Sequence, residues 1–409
     1  MPGADAAPDA LPADLAADLH QAAAATMEEA VAIRRRIHAQ PELGLELPRT
    51  QELVADRLAA IGLRTVKGRD CSSVVAVLEG DREGPTTLLR ADMDALEMPE
   101  DTGLDFASEM PGRMHACGHD THTAMLLAAT RILHDRRGEL AGRVVLMFQP
   151  GEEGHDGAKV MIDEGLLRDH HPDRAFALHI SSVLPSGWLS TRPGTLMASA
   201  DEFHLTVTGR GGHASMPHDA ADPVPVACQI VTAIQSMVTR TIPAFDPAVV
   251  TVSTIHGGTA TNVIPESVVL GGTVRAVSDR SRETVLAALR DMSRHIAEAH
   301  GLTAEFEIMP HSYPVTVNDD TFAGHTLSVA RSLAGDAAMA MPTPVMGAED
   351  WSYVLRQVRG SMAFLGGAPA GVDRPAPNHS NHFMIDEDAM TTGIAMYAGM
   401  ALSAEPAPV

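Results

Sequence analysis

A short segment in the first third of the chain carries an unusual set of metal-binding side chains. Residues 114–124 read MHACGHDTHTA, with three histidines, one of only three cysteines and an aspartate inside eight positions. A single glycine separates Cys117 from His119, so both side chains could reach one metal ion without helical geometry. Asp120 could simply cap the helix predicted after it, but capping would leave the cysteine and the histidines unexplained.

Three later segments add side chains that can bind a metal or move a proton. They contain Glu152 and Glu153 after the apolar run VVLMF, His179 after AFAL, and His379 and His382 in NHSNHFMIDED. Adjacent residues in an extended segment point in opposite directions, so one glutamate can bind metal while the other faces elsewhere in the site. Hydrolysis uses this division, because a metal activates water while a free carboxylate moves the proton. Taken singly, the glutamates could be a solvated pair and each histidine a core residue.

The apolar pattern places these polar residues at the ends of strands. Runs such as SSVVAVLEG, TTLLRADMDAL and RVVLMF are typical of short strands, and they alternate with helical stretches. This alternation predicts an α/β fold, with a mostly parallel sheet covered by helices on both faces. Sites in such sheets form at the carboxyl ends of the strands, where Asp92, Asp94, Glu152 and His179 fall.

A different pattern begins near residue 198. Between residues 198 and 310, the order strand–helix–strand–strand–helix–strand matches a ferredoxin-like α+β unit. We therefore predict a catalytic, metal-binding domain of residues 1–197 and 311–409, interrupted by an inserted domain of residues 198–310. A chain of 409 residues is long for one hydrophobic core, which agrees with two domains.

Composition disfavours several classes of partner. A formal net charge of −23 argues against binding to nucleic acid or an anionic membrane, since both require a basic surface. No apolar run approaches the length of a membrane-spanning helix, and the N-terminal segment lacks the features of a signal peptide. The three cysteines are widely separated and form no disulfide framework, so we expect a cytoplasmic, reducing location.

Eight motifs resemble, in the expected order, those of the dinuclear-metal amidohydrolases. The motifs are LRADMDAL, MHACGHDTH, FQPGEEG, GRGGHAS, TNVIPE, GGTVR, GAEDWS and HSNHFMIDED, and the resemblance extends over residues 38–401. That family includes aminoacylases, hippurate hydrolases, N-acetyl-diaminopimelate deacetylases and plant hydrolases of auxin–amino acid conjugates. The resemblance implies metal-dependent hydrolysis of the amide bond of N-acyl amino acids. It also implies that the inserted domain is a lid that makes a homodimer or homotetramer.

The resemblance also implies roles for particular residues. The ligands of two divalent metal ions would be Cys117, His119, Glu153, His179 and His379. The catalytic and substrate-binding groups would be Glu152, Asp94, His213, Asn262 and Arg275.

Each of these groups has an expected task. Glu152 would be the general base that later protonates the amine, and Asp94 would orient a metal ligand. His213 would stabilise the oxyanion, often in the partner's site, while Asn262 would contact substrate or the interface. Arg275 could clamp a substrate carboxylate or form a structural salt bridge.

One departure from the family affects the C-terminal motif. Asn381 stands where relatives commonly have proline, and His382 falls on a variable position. We therefore identify His379 as the ligand and His382 as a pocket or surface residue. A thiolate beside imidazoles favours a borderline-soft ion such as zinc. The resemblance adds manganese, cobalt and nickel, so zinc or manganese is expected, with cobalt or nickel as further candidates.

Two alternatives remain open at the level of the sequence. The chain could be a dipeptidase or carboxypeptidase of the same clan, although the Cys-Gly-His-Asp motif favours the amidohydrolase branch. A non-catalytic metal-binding or sensing protein is the other alternative. Glu152 argues against it, because binding alone does not require a free base.

Overall fold

The computed structural model describes residues 11–404, which form ten α-helices and sixteen β-strands. The first ten and last five residues lie outside this range. The prediction that the N-terminal segment is not a signal peptide falls partly on these residues. The helices are α1 (Ala13–Ala39), α2 (Pro48–Ala60), α3 (His119–Asp135), α4 (Gly157–Asp163), α5 (Leu166–His170), α6 (Pro223–Thr241), α7 (Asp279–Ala299), α8 (Asp320–Ala334), α9 (Ser352–Leu355) and α10 (Ala389–Leu402). Within residues 11–404, no helix combines the length and apolarity needed to cross a membrane.

The strands are short and are distributed along the whole described chain. They are β1 (Thr65–Lys67), β2 (Val74–Glu79), β3 (Arg82–Asp92), β4 (Ala141–Gln149), β5 (Arg174–Ser181), β6 (Leu189–Thr191), β7 (Gly194–Met197), β8 (Asp201–Thr208), β9 (Gly212–His213), β10 (Ala248–His256), β11 (Val263–Ile264), β12 (Ser267–Ala276), β13 (Thr303–Ile308), β14 (Thr316–Asn318), β15 (Ala338–Ala340) and β16 (Gly360–Gly366).

The described residues form two structural units. The first comprises residues 11–196, Val317–Thr343 and residues 353–404, and the second comprises Met197–Thr316 and Pro344–Ser352. The chain thus leaves the first unit and returns to it. The catalytic and lid roles expected for the two predicted domains stay predictions.

The first unit contains an eight-stranded sheet in the order β1-β2-β4-β3-β5-β16-β6-β15. Its central strands β4, β3, β5 and β16 run parallel to one another, while β1, β2 and β6 pair antiparallel with neighbours. From Thr86 to Asp92, β3 is continuously buried, as is β16 along its whole length. Burial on both faces is typical of parallel strands covered by helices. The mostly parallel sheet predicted from the sequence is confirmed.

Helices α1, α3 and α10 pack together in the core of the first unit. Alanine, leucine and methionine side chains fill most of this core, and every residue of α3 from His119 to Thr130 is buried. A helix that is buried all round belongs to a protein interior. The start of α3 is therefore fixed by packing along its whole first half.

The second unit contains a four-stranded antiparallel sheet in the order β10-β12-β8-β13, with α6 and α7 packed against it. The chain order is β8-α6-β10-β12-α7-β13, which matches the predicted ferredoxin-like unit. Phe203, Leu205 and Val207 alternate with more exposed residues along β8 and contribute to the core of this unit. One face of the sheet is therefore apolar and covered by the helices.

Candidate metal centre

Loops after neighbouring parallel strands carry several of the predicted site residues. Strand β3 ends at Asp92 with Asp94 two residues later, β4 ends three residues before Glu152, and His179 lies near the end of β5. These strands are adjacent and parallel, so their carboxyl ends lie at one edge of the sheet. Residues far apart in sequence are brought together there.

Gly118 sets the direction of the two ligands on either side of it. It has a φ of 88°, in the left-handed region that glycine adopts without a steric penalty, and α3 begins at the next residue. A Cβ atom at this position would clash with the side chain of Ile180. The sharp turn therefore needs glycine, and it leaves both Cys117 and His119 buried.

The five predicted metal ligands converge in the first unit. Potential ligand atoms lie within 4.8 Å of one another in two groups: Cys117, His119 and His179, and Cys117, Glu153 and His379. Cys117 Sγ is 3.4 Å from His179 Nε2 and 3.3 Å from His379 Nε2. The Nε2 atom of His379 lies 3.1 Å from Glu153 Oε1. Because Cys117 belongs to both groups, one sulfur atom can contact both ions of a metal pair.

Unsatisfied polar atoms inside this cluster fit a metal pair. Among the described residues, both ring nitrogens of His119 are buried without a hydrogen-bond partner. Buried polar atoms in proteins nearly always have a partner, and metal ions would supply one here. Nδ1 of His179 donates to the Ile180 carbonyl at 2.7 Å, which leaves Nε2 free to bind a metal. The donor set therefore fits two divalent ions.

Asp94 holds the segment that carries the glutamate pair. Its carboxylate accepts the backbone N–H groups of Glu152, at 3.0 Å, and of Glu153, at 2.9 Å. Its Oδ1 atom also lies 3.5 Å from Nδ1 of His119. A buried carboxylate thus links the loop after β4 to the first residue of α3.

The local electrostatics favour neutral groups at two of the ligands. Burial, followed by the Glu153 carboxylate, raises the pKa of the Cys117 thiol. Burial, followed by repulsion from His122, holds the pKa of His179 well below its usual range. Hydrogen bonds to Cys117 and Glu153 raise the pKa of His379 to about 10. Because the thiolate and the neutral imidazole are the binding forms, metal binding here must release protons.

Asp92 and His122 form a buried pair behind the ligands. Nδ1 of His122 donates to Asp92 at 2.5 Å, and Nε2 accepts the backbone N–H of Ile180 at 2.8 Å. Burial alone would raise the pKa of the Asp92 carboxyl, but Arg90 and the nearby histidines hold it well below its usual range. The Asp92 carboxylate lies 3.5 Å from Nε2 of His119. It therefore supports the ligand cluster and ties β3 to β5.

Asp120 is not the N-cap of α3, because Gly118 occupies that position and Asp120 is the second residue of the helix. Its Oδ2 atom instead contacts Arg34 Nε and His38 Nδ1, each at 2.8 Å, and His38 Nε2 lies 3.2 Å from Glu100. Sequence reasoning missed this buried network. One feature of the sequence could have indicated the network. Arg34 and His38 are four residues apart and therefore share one face of α1.

His382 lies apart from the ligand groups. Its ring is exposed, and Nδ1 donates to the backbone carbonyl of Asp101 at 2.6 Å. This geometry agrees with a pocket or surface residue.

His213 lies on β9 of the second unit and is exposed. The Ser215 backbone N–H donates to Nδ1 of His213 at 3.1 Å, and the Ser215 hydroxyl lies 2.7 Å from the same atom. Since Nδ1 accepts, the proton of the neutral ring is on Nε2. The exposed ring can therefore donate a hydrogen bond.

Asn262 and Arg275 also lie in the second unit. Asn262 is exposed, and its backbone carbonyl accepts the N–H of Ala214 at 3.0 Å. Arg275 is half-buried on β12, and burial lowers its pKa. Asp201, whose charge acts on Arg275, accepts hydrogen bonds from Nε and Nη2 of another guanidinium, that of Arg282. Arg275 itself makes no ion pair with any described residue. None of these residues is therefore a partner for the structural salt bridge that was its alternative role.

Comparisons with known proteins identify the family of this chain. The model of the family "Peptidase family M20/M25/M40" matches residues 88–403. An IAA-amino acid hydrolase from Arabidopsis thaliana is 39% identical over 375 residues, covering 91% of this chain and 84% of the relative. Thermostable carboxypeptidase 1 from Saccharolobus solfataricus is 38% identical over 375 residues, covering 91% and 94%. N-acetylcysteine deacetylase from Bacillus subtilis is 34% identical over 375 residues, covering 90% and 95%.

A solved structure shows the same fold. The Bacillus subtilis YXEP protein, a dinuclear metal binding peptidase from the M20 family, has a TM-score of 0.79 and 30% sequence identity. The match covers 92% of this chain and 98% of that chain. The chain is therefore a metal-dependent hydrolase of amide bonds, and it belongs to peptidase family M20/M25/M40.

Proposed function

We propose that this chain hydrolyses the amide bond of an N-acyl amino acid at the metal centre, with Glu152 moving the proton. The convergence of the five candidate metal ligands, two of them within 4.8 Å of the buried Glu152, carries the proposal. The relatives named for IAA-amino acid and N-acetylcysteine substrates support the same substrate class. The products are a carboxylic acid and an amino acid.

Two groups of ligands hold the ions in this proposal. Cys117 belongs to both groups, His119 and His179 complete one, and Glu153 and His379 complete the other. When bound, the ions lower the pKa of a water molecule and polarise the carbonyl group. The thiolate and imidazole ligands favour zinc, and manganese, cobalt or nickel are the other ions of this proposal.

Glu152 is the group that moves the proton. The residue is 5% exposed, and its carboxylate lies within 4.8 Å of ligand atoms of His119 and Glu153. It takes a proton from the attacking water as the new C–O bond forms. It then gives the proton to the amide nitrogen as the C–N bond breaks. Asp94 keeps both glutamates in place through their backbone N–H groups.

Three residues of the second unit bind substrate in this proposal. His213 donates its Nε2–H to the developing oxyanion, a role that suits a ring whose Nδ1 is held as an acceptor. Arg275 binds the carboxylate of the amino acid, since no acidic residue pairs with it among those described. Asn262 contacts the substrate.

The carboxypeptidase alternative rests on the relatives of that name. A panel of N-acyl amino acids and dipeptides with a free α-amino group separates the two activities. We expect metal-loaded enzyme to release amine faster from N-acetyl and N-benzoyl amino acids. Faster cleavage of the dipeptides would assign the chain to the peptidases. No amine release from either set would contradict the proposed function.

Assembly and location complete the proposal. The second unit acts as a lid and joins subunits into a homodimer or homotetramer. A reducing compartment, the cytoplasm, suits an enzyme whose ligand Cys117 must remain a free thiol.

A further inference from the structure

The side-chain amide of Asn378 connects three segments of the first unit. Nδ2 donates to the backbone carbonyls of Cys117 and Ile180, each at 3.1 Å. Oδ1 accepts the backbone N–H of Ser182 at 3.3 Å. Two acceptors lie on one side of the amide and a backbone donor on the other, so the network fixes its orientation.

Each of these bonds lies at or next to a metal ligand. Cys117 is itself a ligand, and Asn378 directly precedes the ligand His379. Ile180 directly follows the ligand His179, and its carbonyl also accepts Nδ1–H of that ring at 2.7 Å. One amide therefore links the backbone at three of the five ligands.

The backbone of His379 needs such support. It has a φ of 66°, in the left-handed region, which is unfavourable for a residue other than glycine. Such a conformation persists only where its surroundings hold it. Its N–H donates to the carbonyl of Ala116 at 2.8 Å, and Asn378 fixes the residue before it.

We propose that Asn378 is a positioning residue that sets the spacing of Cys117, His179 and His379 for metal binding. The proposal rests on the metal centre of the proposed function. Metal affinity depends on ligands held in place by groups that do not touch the ion, and removing such a group typically weakens binding about 10–100-fold. Asn378 acts on the ligands mainly through their backbone, and its Nδ2 also donates to Sγ of Cys117 at 3.9 Å. It does not touch the reacting atoms.

Two variants and one control test the proposal. Asn378→Ala removes the whole amide, whereas Asn378→Asp keeps its size and its acceptor but loses both N–H donors. Asn381→Ala is the matched control, because it removes the same side chain from the same loop. The side chain of Asn381 makes no hydrogen bond to any described residue.

Titration of metal-free protein with Co²⁺ provides a readout independent of turnover. Ultraviolet and visible absorption reports thiolate and imidazole ligation, competition with a chelator gives the Kd, and thermal unfolding reports folding. We expect both Asn378 variants to bind Co²⁺ about 10–100-fold more weakly with altered absorption. Their metal-free unfolding temperatures should stay close to those of the parent and of Asn381→Ala.

The outcomes separate the two proposals. If both Asn378 variants bind Co²⁺ as tightly as the parent with unchanged absorption, the positioning role is wrong while the metal centre stands. If the parent itself shows no cobalt–thiolate absorption, the metal centre is wrong and the positioning role fails with it. Should Asn378→Ala fail to fold, the isosteric aspartate variant decides.

Discussion

Glu152 and Glu153 are neighbours in sequence, yet their carboxylates have different surroundings. Oε1 of Glu153 lies 3.1 Å from His379 Nε2 and 3.9 Å from His119 Nε2, so it faces ligands of both groups. Glu152 is more buried, and its potential ligand atom lies within 4.8 Å of those of His119 and Glu153. At the scale of the residue, one glutamate suits metal binding and the other suits proton transfer.

Glu152→Gln should therefore retain metal and lose turnover. The amide has nearly the shape of the carboxylate but cannot accept the proton, so kcat should fall about 10²–10⁴-fold. Metal content is measured by elemental analysis, and kcat by amine release from an N-acyl amino acid.

The neighbouring variant Glu153→Gln is the matched control, and it should lose bound metal as well as activity. Parent-like turnover by Glu152→Gln would remove this residue from proton transfer.

His213→Ala tests the proposed oxyanion donor. Loss of one such donor typically lowers kcat about 10²–10³-fold, whereas metal content should not change. The control is His218→Ala, an exposed histidine five residues later in the same unit. Equal kcat values for the parent and His213→Ala would show that His213 does not stabilise the oxyanion.

Among the secondary-structure elements, α3 carries His119 at its first residue and directly follows Cys117 and Gly118. Gly118 precedes the helix with a φ of 88°, and the side chain of Ile180 occupies the space that a Cβ atom would need. Helix α3 is buried over its first twelve residues, from His119 to Thr130, so it cannot move to relieve a clash. The turn and the packed helix together determine where Cys117 and His119 point.

Gly118→Ala should therefore destabilise the metal-free protein by about 1–3 kcal/mol and also reduce metal binding. The clash displaces the two ligands that flank the turn. Urea unfolding gives the free energy of unfolding, and elemental analysis gives the bound metal.

Gly112→Ala is the control, because Gly112 has a φ of 76° with no atom within 4 Å of its added Cβ. It should pay only the backbone cost, about 1 kcal/mol, and keep its metal. Full metal binding by Gly118→Ala would show that the turn does not position the ligands.

At the scale of the molecule, the centre depends on segments that are distant in sequence. Cys117 and His379 are separated by 262 positions, yet their ligand atoms lie 3.3 Å apart. The C-terminal end of α10 is tied to the start of β5 by Arg174, which donates to the Ser403 carbonyl, and to α8 by His325, whose Nε2 lies 2.8 Å from the Ser403 hydroxyl. The fold of the first unit therefore includes the C-terminal end of the described chain.

His325 should make the stability of the first unit fall in mild acid. Burial, followed by repulsion from Arg174 and Arg359, lowers the pKa of His325 to about 4. The folded ring stays neutral while the unfolded ring gains a proton below about pH 6.5. Its stabilising contribution is therefore present above about pH 6.5 and is lost as the pH falls toward 4.

His325→Gln should lose less stability than the parent between about pH 7 and about pH 4.5, by about 2 kcal/mol. Urea unfolding of both proteins with a chelator present measures the difference, because other titrating groups cancel between them. An equal loss in the two proteins would mean that His325 does not titrate in this range.

Local patterns in the sequence were sufficient for much of the fold. Alternating apolar runs and helical stretches predicted the mostly parallel sheet, and the strand–helix order predicted the ferredoxin-like unit. Both follow from periodicities that each segment carries by itself. Placing Glu152 and His179 after strands also predicted that they would meet at one sheet edge.

Long-range contacts decided the rest. The position of Cys117 in both ligand groups, the amide of Asn378 across three segments and the pairing of Arg34 with Asp120 each join residues from distant parts of the chain. Residue types and local periodicity indicated four segments with metal-binding side chains, and the family resemblance implied Cys117, His119, Glu153, His179 and His379 as the ligands. Their distances, partners and proton positions depend on how separate segments pack, and only the tertiary structure determines that packing.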